Sequence, residues 1–351
     1  MSPTAQGTAR LAPRSALLLG LLLVALAFVT GSASGAYPIS PAQLWHTLAS
    51  ALSGHAASAP EQMVFLNIRL PRLLLGVAAG AGLGLAGALM QGLFRNPLAD
   101  PGLIGISSGA ALAAGLTIVL GPLWFPALPH ALGSWTLMLT AFAGGLAVTG
   151  LIYRFAQGPT GTHISLMLLA GVAVNAMAMA GLGYLNFVAT DEQLRNIQFW
   201  LLGSLGGARW SAVGLVCSIV ALAGAAALPW ARPLNAIALG EAQAALLGVD
   251  VERTKRAAVL IAALAVGAVT ATTGIIGFVG LIAPHWVRLV AGPDHRIVLP
   301  GSALLGAALV LAADAVARTV VQPAELPLGV LTAFIGGPMF VWMLRRFRSR
   351  L

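Results

Sequence analysis

Few side chains in this sequence could do chemistry, and their spacing argues against an enzyme. The single lysine, Lys255, has no Gly-rich strand-to-helix context. No G-x-x-x-x-G-K-[ST] phosphate loop exists, so the chain does not hydrolyse ATP by itself. H-E-x-x-H, paired cysteine ligands and G-x-S-x-G are missing too, which leaves no assembled metal site and no catalytic nucleophile. Cys217 is the one cysteine; it lies in an apolar run, excludes an intrachain disulfide and reads as a small packed side chain. The firm ionisable residue inside an apolar run is Asp314, four residues before Arg318 and so on the same helix face. That spacing fits a structural ion pair, with proton coupling through Asp314 as the alternative.

The elements that position these residues are set by hydropathy. With 58% hydrophobic and 8% charged residues in 351, and a mean hydropathy of +0.91, the chain lacks the polar surface of a water-soluble globule. Apolar runs predict an all-α, polytopic membrane protein of about ten transmembrane helices. The spans are placed at 15–34, 70–91, 103–120, 136–156, 163–189, 211–229, 257–274, 276–290, 299–317 and 328–344. Spans seven and eight are barely long enough for two crossings. An even number puts both termini on one side. On this threading all but five of the 19 basic residues share the side of the termini, which makes it the cytoplasm. Arg69, Arg72, Arg195, Arg209 and Arg318 lie opposite. This bias accounts for the net charge of +9 without nucleic acid. Residues 15–35, preceded by Arg10 and Arg14, also fit a signal peptide, but the long apolar run and the even count favour a span.

Residues 1–351 read as a single transmembrane domain with two longer soluble segments. Residues 35–68 form an outer loop with Tyr37, Pro38, Pro41 and an amphipathic stretch from Gln43 to Leu52 that suits a membrane surface; residues 230–256 form the longest cytoplasmic loop. Gly76, Gly80 and Gly84 open a groove without side chains along span two, a packing device. Asn175, Tyr184 and Asn186 make span five more polar than its neighbours, through interhelical hydrogen bonds or as a wetted wall.

Several segments closely resemble one family. They are Arg69-Leu-Pro-Arg72, Ala86-Gly-Ala-Leu-Met-Gln-Gly92, Arg95-Asn-Pro-Leu-Ala-Asp-Pro-Gly-Leu-Ile-Gly105, Leu168-Leu-Ala-Gly171, Gly277-Phe-Val-Gly-Leu-Ile-Ala-Pro-His285 and Glu325-Leu-Pro-Leu-Gly-Val330. In this order they resemble the FecCD-type permeases of ATP-binding-cassette importers, which move iron siderophores, haem and cobalamin.

The resemblance implies a homodimer of ten-helix subunits in the bacterial inner membrane, working with two cytoplasmic ATPases that hold ATP and Mg, and with a periplasmic substrate-binding protein. No cofactor belongs to this chain. Arg69, Arg72 and Arg318 match the family's docking positions for the binding protein. The stretch Leu239 to Gly248 resembles its coupling segment, with Gly240, Glu241, Ala242, Ala245, Leu247 and Gly248 as the ATPase contacts; the pattern is an Ala-rich helix stopped by Gly. Asn96 and Leu98 fall in the gate segment, and the path follows spans five and ten. Overall similarity favours haem as cargo, with ferric siderophore and cobalamin as alternatives and a proton-coupled carrier as the other mechanism. His285 and His295 invite a haem-ligand reading, but both lie in segments common to the family and read as structural. A path must release its cargo, so a largely apolar wall is expected, with His163, Met167, Asn175, Met177 and Met179 as candidates.

Overall fold

The structure, a computed structural model, describes residues 11–35, 40–53, 60–127, 131–159, 161–321 and 324–348; Arg10, Tyr37 and Pro38 lie outside them. In chain order the helices used below are α1 Pro13–Ala33, α2 Pro41–Leu52, α3 Pro60–Leu93, α4 Ile106–Val119, α5 Trp135–Phe155, α6 Ile164–Val188, α7 Asp191–Leu202, α8 Trp210–Ala227, α9 Ala231–Ala238, α10 Glu241–Leu246, α11 Val251–Thr273, α12 Val279–Ala291, α13 His295–Ala317 and α14 Leu328–Arg348. A two-residue hairpin, β1 Gln157–Gly158 and β2 Gly161–Thr162, joins α5 to α6.

Among the described residues, eight helical stretches are long and apolar enough to cross a membrane, and α4 and α12 are shorter apolar helices. At 14 and 13 residues, α4 and α12 span only about 20 Å at ~1.5 Å per residue, short of a ~30 Å hydrocarbon core. Span three therefore begins at Ile106, after a 3-10 turn over Pro101–Ile104, and span eight at Val279.

Helix α3 is the hub. Its most apolar window is 83% buried inside the chain, against 11% for α1 at the periphery, and α8, α11, α12 and α13 all pack on it. The glycine stripe makes this possible. A Cβ on Gly80 would lie 2.2 Å from the Gly306 carbonyl oxygen, and one on Gly84 2.0 Å from that of Ser302. The backbones of α3 and α13 are thus nearly in contact. In lipid, where water supplies no driving force between helices, such close packing holds the bundle together.

Two segments expected as loops are largely helical. Residues 60–68 belong to α3, which passes through a π-turn at Phe65–Arg69 without ending. Between 230 and 256, α8 continues through a 3-10 turn into α9, and the short α10 follows. In both places polar residues hid a continuing backbone ladder, because hydropathy measures side chains rather than hydrogen bonds.

Candidate functional site

The three arginines expected at the docking positions are drawn into the bundle. Arg69, Arg72 and Arg318 are only 5%, 8% and 7% exposed. Arg72 donates through Nε to both Asp314 carboxylate oxygens at 3.0 and 3.2 Å, and through Nη1 to Glu325 Oε1 at 2.9 Å. Arg318 donates from Nε to Asp314 Oδ2 at 2.9 Å. Its two terminal nitrogens donate to the Ser34 and Gly31 carbonyls, while Arg69 donates to that of Ser32. The last turn of α1 has carbonyls without intrahelical partners, and cations are favoured at that negative end of the helix dipole. Two arginines from other helices therefore cap α1, and Asp314 compensates Arg72 and Arg318 together. The i,i+4 pair read from spacing is present, but as half of a four-residue ion cluster of Arg72, Asp314, Arg318 and Glu325.

Helix α6 carries most of the expected path residues. Met167, Gly171, Val174, Ala178, Leu182 and Leu185 form its buried stripe. Met167, only 2% exposed, faces the core and is no wall residue; Met177, at 73%, and Met179 lie on the uncovered face with Leu169, Tyr184 and Phe187. The 3.6-residue period separates the three methionines: Met167 falls in register with Val174 and Ala178, whereas Met177 does not. Asn175 ties helices together: its Oδ1 accepts from Ser108 Oγ at 2.5 Å and its Nδ2 donates to the Gly102 carbonyl at 3.4 Å. His163, exposed, is the N-cap residue of α6. Helix α14 likewise leaves Phe334, Ile335, Val341 and Trp342 uncovered.

At the opposite end, α10 stands out from the surface. Gly240, with φ +126°, turns the chain between α9 and α10, and Gly248, with φ +80°, ends α10 in the left-handed conformation that a Gly after a helix supplies without strain. Between them Ala242, Ala245, Leu246, Leu247 and Gly248 are exposed, Leu246 at 89% and Leu247 at 66%, while Ala244 is buried. Glu241 is held in place by Lys255 Nζ at 2.8 Å. A short helix anchored from beneath, with leucines outward, is suited to an apolar groove of another protein.

The expected gate segment follows α3. Arg95 adopts a left-handed φ of 50°, and Asn96 closes the turn by accepting the Leu98 N–H at 2.9 Å. Leu98 packs against the buried cluster of Leu281 and Ile282 of α12 and Met343 of α14. Leu98 is thus linked to α14, while Asn96 is held within its own turn.

His295 is structural: it is buried, and its backbone N–H donates to Asn235 Oδ1 at 2.9 Å while Nδ1 lies 2.7 Å from the same oxygen. Asn235 Nδ2 in turn donates to Asp294, whose carboxyl is held below the usual range chiefly by the Arg296 N–H. Neither this latch nor α7 was foreseen. Helix α7 carries its own signal, the capping box of Thr190 and Gln193 with Asp191 and Glu192 in the first turn.

Comparison with known proteins follows the same architecture. The profile of the FecCD transport family matches residues 21–346. The chain is 45% identical to the hemin transport system permease protein HmuU of Yersinia pestis, over 97% of this chain and 98% of that one. It is 43% identical to the cobalamin import system permease protein BtuC of Halobacterium salinarum, over 81% and 74% of the two chains. A solved structure titled as an inward-facing conformation of a metal-chelate type ABC transporter superposes with a TM-score of 0.82 at 29% identity, covering 95% of this chain and 99% of that one. With an all-α bundle whose described residues include eight long apolar helices and two shorter ones, and with sequence likeness along nearly its whole length, this membrane protein belongs to the FecCD transport family and is a transport permease of an ABC importer.

Proposed function

We propose that the chain is the membrane-spanning subunit of a bacterial inner-membrane haem importer, carrying haem from periplasm to cytoplasm with both termini in the cytoplasm. The observation that carries this reading is the near full-length similarity to a hemin transport permease. Two copies form the path at their shared axis. The uncovered apolar faces of α6 and α14 support this, since a monomer leaves Met177, Met179, Phe187 and Phe334 without protein partners. Energy comes from two cytoplasmic ATPase subunits holding ATP and Mg. They seat α10 in a groove, contacting Ala242, Ala245, Leu247 and Gly248, with Gly240 and Glu241 setting its angle. Asn96 and Leu98 close the inner side.

A periplasmic binding protein delivers cargo at the outer end. With their guanidinium groups already engaged, Arg69, Arg72 and Arg318 serve this step from within. Carboxylates of the binding protein compete for Arg72 with Glu325, whose side chain is 45% exposed. His163, Met177 and Met179 contact cargo weakly, so that release is fast; Asn175 keeps its interhelical role.

The mechanism is tested by uptake into vesicles. Substituting the catalytic residues of the partner ATPase should abolish uptake, while collapsing the proton gradient should leave it intact. The reverse pattern would establish the proton-coupled alternative through Asp314.

A further inference from the structure

The sole lysine is the least exposed charged group at the α10 end, and neither folding nor ATPase docking by itself accounts for its placement. Lys255 is 3% exposed on the first turns of α11. An ammonium has three donors and is costly to desolvate unless all are matched. Here each goes to a different element: Glu241 Oε2 of α10 at 2.8 Å, Glu252 Oε1 of α11 at 3.1 Å, and the Thr162 carbonyl of β2 at 2.7 Å. Thr162 is the residue before His163, the N-cap of α6.

The hairpin end of this link is itself fixed. Thr162 Oγ1 lies 2.7 Å from Glu252 Oε2 and 3.2 Å from the Tyr153 hydroxyl, and β1 pairs Gln157 with Thr162. Gly161, at φ +110°, suits this turn, and its bare Cα faces the Glu252 carboxylate, which a Cβ would approach to 2.7 Å. Beside the link lies a cavity of about 510 Å³ lined by Glu241, Thr162, His163, Leu166, Phe94 and Arg95. The start of α6 thus has open space on the side of α10 and the gate segment, and a rigid ionic connection to α10 itself.

We infer that Lys255 is a positioning residue that transmits displacement of α10 to the first turn of α6, and so to the path. The inference rests on the reading of α10 as the ATPase contact. A shift of Gly240–Leu246 either carries Thr162 and His163 with it through Lys255 or takes from the buried Lys255 ammonium its half-exposed partner Glu241; a bonded strut makes the first outcome the cheaper one.

The test uses the full complex of permease, ATPase and binding protein reconstituted in vesicles, offered haem, with hydrolysis and uptake measured together. Lys255→Met should retain ATPase association and hydrolysis but lower haem carried per ATP by about tenfold, a typical size for coupling between sites. Lys255→Arg, which keeps the charge and several donors, should recover part of that ratio. An unchanged ratio in Lys255→Met, or hydrolysis and uptake falling in parallel, would overturn the inference. Should Lys255→Met fail to accumulate, Lys255→Gln is read by the same ratio with the same two contrary outcomes. A wild-type complex that binds no ATPase overturns the parent reading, and the strut with it; one that binds ATPase but carries no haem overturns the cargo alone, and the same ratio is then read with a ferric siderophore or cobalamin. A competent wild type beside an equally coupled Lys255→Met overturns the strut alone.

Discussion

Replacing Asp314 by alanine is expected to destabilise the folded chain by about 3–5 kcal/mol, the usual cost of removing one partner from a buried ion cluster. The carboxylate is within 3.2 Å of nitrogens on both Arg72 and Arg318, and all three side chains are buried. Its loss strands two guanidinium groups between α1, α3 and α13. Arg72 keeps Glu325 and Arg318 keeps the carbonyls of α1, so the damage falls on α1 docking first. Thermal unfolding in detergent measures the effect. Asp314→Asn separates this account from proton coupling: an amide cannot neutralise two cations, so it should lose stability as alanine does. A fully stable Asp314→Asn with abolished transport would instead mark Asp314 as a proton carrier. Combining Asp314→Leu with Arg318→Leu should cost clearly less than the two single effects together, because the pair shares one interaction.

The second large effect is expected at the other end of the molecule and should spare the fold. Leu246 and Leu247 are 89% and 66% exposed, so substitution of either by glutamate removes little packing. In the assembled importer each would occupy the centre of the ATPase groove, where truncating an anchor commonly costs about 2 kcal/mol or more. Leu246→Glu with Leu247→Glu should weaken ATPase binding by at least ~30-fold, as about 1.4 kcal/mol corresponds to each factor of ten. Affinity measured in detergent, alongside an unchanged unfolding temperature, checks this. Unaltered binding would remove α10 from the interface.

The bundle was legible because lipid imposes a simple rule: a crossing needs a long apolar run, and among the described residues eight helices meet it, with two shorter apolar helices between them. The glycine stripe at 76, 80 and 84 was equally plain, since helix–helix contact in a membrane selects small residues at that spacing. The burial of the three arginines was not legible. Arg69 and Arg72 lie within α3, at and just after its π-turn, and Arg318 follows α13; all three are buried among partners distant in sequence. Sequence gives no sign that the end of α1, some 40 residues earlier than Arg72, supplies carbonyls to Arg69 and Arg318. Glu325 as a partner of Arg72 lies 253 residues away and is equally invisible. Met167 could have been excluded, because the period of α6 alone puts it on the stripe of Val174 and Ala178. The role of Lys255 was hidden because its three acceptors come from three elements, one of them a backbone carbonyl whose chemistry is the same at every residue.

Cargo is where the account is most exposed to contradiction. The apolar face of α6, with Met177, Met179, Leu169 and Phe187 uncovered, suits a flat, largely apolar chelate. The most direct measurement is competitive uptake by vesicles containing the complete importer, offered haem, a ferric siderophore and cobalamin through the cognate binding protein. Accumulation of haem, dependent on ATP and undiminished by an excess of the other two, is the predicted result; ATP-dependent accumulation of a siderophore or of cobalamin without haem would contradict it.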